Sequence, residues 1–327
     1  MTDRFTAAQV RALLATNPAS VLALAGSYRA VQAAYQDDPA RFVREAFRWA
    51  PGDGPTRYQT ELLATLVARG RLAVCAPHGV GKTTVGAWAL LWFALTRDGQ
   101  DWKVITTASV WRQLKEFLWP EVHKWASRLR WDWIGRAPFT ATELQTRGLR
   151  LGTGSAFAVA SDTPAHIEGA HADRILYIFD EAKAIADATF DAAEGAFSSA
   201  GDPRREALAF AISTPGAPHG RFYDIQRRRA GLEPWAIRHV RVEEAVRAGQ
   251  LTAQFVDEHR ALWGETSAVF RNRILGEFAA DEEQGVIPLA WIEAAQERWR
   301  QWATATPAAA RGRVTRIGID VAPRNAI

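Results

Sequence analysis

Arg71 to Thr84 reads RLAVCAPHGVGKTT, and the fold turns on this stretch. Leu72, Ala73, Val74 and Cys75 form a short apolar run with the length and content of a buried strand. A turn containing Gly79 and Gly81 follows, then Lys82-Thr83-Thr84, then an apolar helical pattern from Val85 to Leu95. A strand, a glycine-bearing turn and a helix carrying Lys-Thr is the pattern of the phosphate-binding loop of nucleotide triphosphatases. Glycines let backbone N–H groups curl around phosphates with no side chain in the way. The helix N-terminus adds unpaired donors and a partial positive charge. In such a loop Lys82 reaches the β- and γ-phosphates of ATP, and the Thr83 hydroxyl binds Mg²⁺. Ala76, Pro77, His78, Gly79, Val80, Gly81, Lys82, Thr83 and Thr84 are therefore candidate nucleotide-binding residues. Ala76 stands where the pattern has its first glycine, a position that accepts a small side chain.

A second motif lies about a hundred residues downstream, the usual separation. Arg174 to Glu181 reads RILYIFDE, an apolar run ending in adjacent carboxylates. A buried strand with Asp180 at its C-terminal end delivers that carboxylate to the edge where ligands of parallel sheets bind. Asp180 is expected to hold the Mg²⁺ shell and Glu181 to polarise the attacking water, with Lys82 completing the catalytic set. A third apolar run, Glu206 to Ile212, ends in Ser213-Thr214-Pro215-Gly216. Ser and Thr at that strand end can touch both γ-phosphate and water, which makes Ser213 and Thr214 candidate coupling residues. Arg57-Tyr58-Gln59 precedes the loop by roughly 20 residues, where the Gln amide can pair with adenine and Tyr58 or Arg57 can stack.

Composition narrows the class. The chain has 327 residues, 48% hydrophobic and 23% charged, with a net charge of +4, which is ordinary for a globular protein. No apolar run approaches the roughly 20 residues of a membrane helix, and the acid-bearing N-terminus does not read as a signal peptide. A cytoplasmic setting follows as the default. The single Cys75 excludes an internal disulfide and a cysteine-built zinc site. Only five of the forty basic residues are lysine. Arginine suits phosphate recognition, and a GC-rich genome produces the same bias.

The expected fold is α/β: a P-loop NTPase of the ASCE type, with a mostly parallel sheet flanked by helices. Residues 1–50 read as an N-terminal helical segment, including a helix from Pro39 to Trp49. Residues 51–245 read as the ATPase core. Residues 246–312 read as a helical linker subdomain, and 313–327 as the first strand of a further domain. His166 and His171 read as loop histidines. Arg227-Arg228-Arg229 forms a basic patch.

With its motifs placed, the chain resembles the large terminase subunit of tailed bacteriophages, the motor that packs DNA into proheads. The resemblance covers Trp49 to Ala322. It rests on Tyr58-Gln59, APHGVGKTT, KVITTASVWRQ leading to WPEV, IEGAHADRILYIFDEA at Ile167 to Ala182, and ISTPG at Ile212 to Gly216. It implies ATP hydrolysis coupled to movement of double-stranded DNA. The partners it implies are a small terminase subunit, a portal protein and a ring of like subunits on the prohead, in the host cytoplasm. GIDVA at Gly318 to Ala322 resembles the start of that family's ribonuclease-H-like nuclease. Asp320 alone cannot hold the two ions of that chemistry, so no DNA cleavage is expected of this chain. His78 stands where some packaging ATPases carry an arginine finger, and Arg136, Arg147 and Arg150 are candidates by location. A helicase or translocase of superfamily 2 and a non-catalytic DNA- or procapsid-binding remnant are the alternatives.

Overall fold

The computed structural model describes residues 18–160, 167, 170–198, 202, 204–279 and 289–305. The N-terminal pattern through Val10, His166 and the closing segment with Asp320 lie outside these residues. Eight strands form one sheet: β1 (Arg71–Cys75), β2 (Trp102–Ala108), β3 (Leu144–Gln145), β4 (Gly148–Leu151), β5 (Gly154–Ala160), β6 (Arg174–Asp180), β7 (Glu206–Ser213) and β8 (Ala236–His239). Their order is β3-β4-β5-β2-β6-β7-β1-β8. The six strands from β5 to β8 in that order are parallel, and β4 and β3 continue the β5 edge antiparallel.

The apolar runs are continuous because both faces of the sheet are covered. Successive side chains alternate between faces: Leu72 and Val74 join one core with Leu176, Ile178, Phe210 and Ile212. Ala73 and Cys75 join the other with Ile175, Tyr177 and Phe179. The first face is covered by α1 (Pro18–Tyr35), α2 (Pro39–Ala46), α3 (Arg57–Arg69), α4 (Lys82–Arg97), α5 (residues 111–127) and α6 (Trp131–Ile134). The second is covered by α7 (Asp187–Glu194) and α8 (Arg221–Gln226). Past β8 run α9 (Val242–Arg247), α10 (Ala253–Trp263) and α11 (residues 268–275). The unit through Ala279 is compact, and α12 (Leu289–Ala305) belongs to a second unit. Among the described residues no helix is long and apolar enough to cross a membrane.

The helix expected to reach Trp49 stops at Ala46. Phe47 is extended and bridges antiparallel to Leu129. Tertiary aromatic packing explains the early stop: Phe47 meets Trp125 at 5.2 Å, and Trp49 meets Trp88 at 5.6 Å, both edge to face. Helix α5 contains a π turn, Leu114–Leu118, which no local pattern announces. The basic and aromatic stretch from Arg128 to Trp133 commits its rings to packing, with Trp131 against Phe139 and Trp133 against Tyr35.

Arg97 ends the loop helix with its side chain wholly buried. Its Nε donates to Glu206 at 3.0 Å and one Nη to the Gln36 carbonyl at 2.8 Å, while the guanidinium lies over Trp92 and Phe93. Cutting one partner from such a pair strands the other charge. Arg97→Ala should therefore cost about 3 kcal/mol, read as a lower urea midpoint. A midpoint like that of the wild type would show the pair to be dispensable.

Candidate nucleotide site

The site sits at the C-terminal ends of three adjacent parallel strands. Register places Val74 of β1 level with Ile212 of β7, and Asp180 of β6 level with the same Ile212. The loop after β1 and the carboxylate ending β6 therefore leave the sheet at one height, two strand spacings or about 10 Å apart. Strand alternation turns Asp180 to the face of Ile178, the face on which α4 packs.

The loop is held from several sides. Gly79 and Gly81 both have φ +77°, a left-handed conformation that favours glycine. Gly81 caps α4, and a Cβ there would lie 2.6 Å from the Gln59 amide nitrogen. Tyr58 Oη donates to the Val80 carbonyl at 2.9 Å, and Gln59 Nε2 approaches the same oxygen at 3.4 Å. Gln59 Oε1 accepts from Thr56 N–H, closing a capping box on α3. Both side chains are buried, and Tyr58 Oη and Gln59 Nε2 meet the loop at Val80. Arg57 is exposed, pairs with Glu61 at 2.8 Å, and lines a separate cavity of about 780 Å³ with Arg238 and Arg247. From the far end of the chain, the Arg273 carbonyl accepts from His78 N–H at 2.8 Å. The Gly276 carbonyl accepts from the Cys75 thiol at 3.2 Å. That thiol is pushed up to about 12 by burial, so Cys75 is packing and no nucleophile.

A cavity of about 470 Å³ opens over the loop, lined by Gly79, Lys82, Thr83, Thr84, Glu181 and the Phe117–Lys124 side of α5. Lys82 is buried and donates from Nζ to the Pro77 carbonyl at 2.7 Å. Burial lowers its pKa, opposed by the charges of Glu181 and Asp180. The Thr84 hydroxyl donates to Glu121 at 2.7 Å, tying α4 to α5. Burial pushes the Glu121 carboxyl up, but hydrogen bonds from Thr84, Lys124 and Trp125 outweigh it and hold it below the ordinary range.

Asp180 is buried, and its carboxyl is pushed up to about 7 by burial and by the neighbouring Glu181, with Lys82 acting the other way. A carboxylate so placed calls for a nearby cation. With the Thr83 hydroxyl it offers hard oxygen ligands, which fit Mg²⁺. Among the described residues no group of three or more His, Cys, Asp or Glu is placed to hold a metal unaided. Two protein oxygens suit an ion that keeps several waters.

Glu181 has φ +50°, left-handed for a residue with a Cβ. Its Oε2 accepts from the Ser213 hydroxyl at 3.0 Å and the Thr214 hydroxyl at 3.3 Å. The structure thus brings the second and third sequence motifs into direct contact.

No protein-family model matches the sequence. The probable terminase large subunit of Enterobacteria phage P7 is 29% identical over 188 residues, which cover 55% of this chain and 36% of that protein. The large terminase of a thermophilic bacteriophage has the same fold: TM-score 0.52 at 13% identity, covering 72% of this chain and 59% of that one. A second crystal form of that protein, solved in complex with ADP, gives a TM-score of 0.50 at 13% identity over 68% and 53%. The large terminase of bacteriophage HK97 gives 0.50 at 15% identity over 74% and 55%. The matched stretch thus spans about a third of the curated relative and between half and three-fifths of these structures.

Of the arginines named as fingers for a terminase-like site, Arg136 pairs with Glu143 at 2.7 Å and is mostly buried. Arg147 lies over the Trp111 ring, and Arg150 is exposed on β4. His78 is pushed down to about 4 by partial burial and by the charge of Lys82, so its ring is neutral at pH 7. The unfolded chain binds that proton more readily. Stability relative to His78→Gln should fall as pH drops from about 6.5 towards 4 and be level above that window. Urea midpoints of the two proteins across that range check this, and parallel curves would contradict it.

Proposed function

We propose that this chain is an ATP-hydrolysing motor of the terminase kind, coupling hydrolysis to movement of double-stranded DNA into a prohead in the host cytoplasm. The observation that carries this reading is the contact of Glu181 with Ser213 and Thr214 beside the phosphate loop. A bare nucleotide-binding remnant has no use for a carboxylate poised in that way.

The phosphates of ATP would lie on the backbone N–H groups from Gly79 to Thr84, with Lys82 turning from the Pro77 carbonyl to the β- and γ-phosphates. Mg²⁺, when bound, neutralises phosphate charge, and Thr83 and Asp180 would hold it. Glu181 orients the attacking water through the carboxylate oxygen left unoccupied by Ser213 and Thr214. Loss of the γ-phosphate changes what those two hydroxyls meet, and β7 carries that change away. Tyr58 and Gln59 keep the loop in shape. A finger arginine, a small terminase subunit, a portal protein and a ring of like subunits are the partners this reading requires.

Lys82→Ala should weaken binding of a fluorescent ATP analogue. Glu181→Gln should bind it normally but release phosphate about 10²–10³-fold more slowly. Turnover in Glu181→Gln equal to that of the wild type, with or without duplex DNA, would overturn the assignment. For DNA contact, the patch after α8 is the candidate: Arg229 pairs with Asp224 at 2.7 Å, and Arg227 lies over Tyr223. Replacing Arg227 to Arg229 with alanine should flatten the log–log salt dependence of duplex binding by about one to two. An unchanged slope removes the patch from the DNA path.

A further inference from the structure

Lys183 stands two residues beyond Glu181, outside the motifs that the sequence singles out. Left-handed backbone at Glu181 turns the chain out of β6, and a 3₁₀ turn, Ala182–Ala184, brings Lys183 back over the end of β7. There its Nζ donates to the Thr214 hydroxyl at 3.1 Å and to the Pro215 carbonyl at 3.5 Å. Its own N–H donates to the Ser213 hydroxyl at 3.4 Å. A hydroxyl has a single hydrogen to give. With its oxygen accepting from the ammonium, Thr214 must turn that hydrogen outward, and Glu181 Oε2 is the acceptor it meets. The Ser213 hydroxyl, accepting from the Lys183 N–H, is shared between Glu181 Oε2 at 3.0 Å and the Thr214 carbonyl at 2.7 Å.

We propose that Lys183 is a positioning residue for hydrolysis. It fixes the direction of the Thr214 hydrogen bond, so that one oxygen of Glu181 is tied to β7 and the other stays free for water. The residue does not bind nucleotide. It joins the strand end that carries the catalytic carboxylate to the strand end that senses the γ-phosphate. Gly216 keeps the space for it: a Cβ at that position would lie 3.2 Å from the lysine Cδ. The same loop is tied to the end of the compact unit by Ala279 N–H donating to the Gly216 carbonyl at 3.2 Å. The proposal rests on the ATPase reading, and its test separates the two.

The experiment compares wild type, Lys183→Met, Lys183→Arg, Thr214→Val and the Met/Val double variant. Phosphate release gives kcat and KM, a fluorescent ATP analogue gives Kd, and thermal melting gives stability. Lys183→Met should lose about tenfold in kcat, the equivalent of one charge-assisted hydrogen bond, with Kd within about twofold of wild type. Lys183→Arg should recover most of the loss, because a guanidinium can still donate to Thr214. The melting shifts of Lys183→Met and Thr214→Val should not add in the double variant, since both remove one interaction. Wild-type kcat in Lys183→Met, a Kd that weakens as much as kcat falls, or additive melting shifts would each overturn the proposal. A wild type with no turnover would count against the ATPase reading, and the melting cycle would still decide the Lys183–Thr214 contact.

Discussion

The register of three parallel strands is the constraint on which the rest depends. Val74, Ile212 and Asp180 stand level across β1, β7 and β6. That one alignment sets the distance from the phosphate loop to the carboxylates and inserts the Ser213-Thr214 strand end between them. Slipping one strand by a residue would turn Asp180 to the opposite face and move a whole row of buried side chains with it. The two cores prevent that slip, because alternate residues of β1, β6 and β7 are committed to different faces.

The loop itself is shaped by segments far from it in sequence. Tyr58 and Gln59 hold the Val80 carbonyl from one side. The Ser213 carbonyl accepts from Ala76 N–H, and the Arg273 carbonyl accepts from His78 N–H. Gly276 comes so close that a Cβ would lie 3.0 Å from the Pro77 ring. The π turn Arg271–Leu275 carries the Arg273 carbonyl to the loop, and its Leu275 carbonyl meets His239 Nε2 at 3.1 Å. Segments before β1 and after β8 thus meet the same few residues, and rearrangement of the loop would be felt by both.

Elements whose identity is local were legible in the chain. The apolar runs ending in Cys75, Asp180 and Ser213 gave strands with near-correct bounds, and Gly81-Lys82-Thr83 marked the start of α4. The packing of Tyr58 and Gln59 on the loop was not legible, because an aromatic-Gln pair reads the same whatever its hydrogen-bond partner. Only the position of Val80 settles where their hydrogen bonds go. Lys183 was hidden for a similar reason: its partners lie about thirty residues away on another strand. The early end of α2 and the π turn in α5 were hidden too. The early end of α2 follows from aromatic packing that overrides helical propensity.

The loop and the two carboxylates are proposed to form a single site for a nucleotide with its metal ion. Titration calorimetry of the purified chain with a slowly hydrolysed ATP analogue, with and without Mg²⁺, tests it most directly. A single site requires binding that strengthens with Mg²⁺ in the wild type and loses that Mg²⁺ dependence in Asp180→Asn. Absence of nucleotide binding at any Mg²⁺ concentration, or equal Mg²⁺ dependence in the variant, would contradict it.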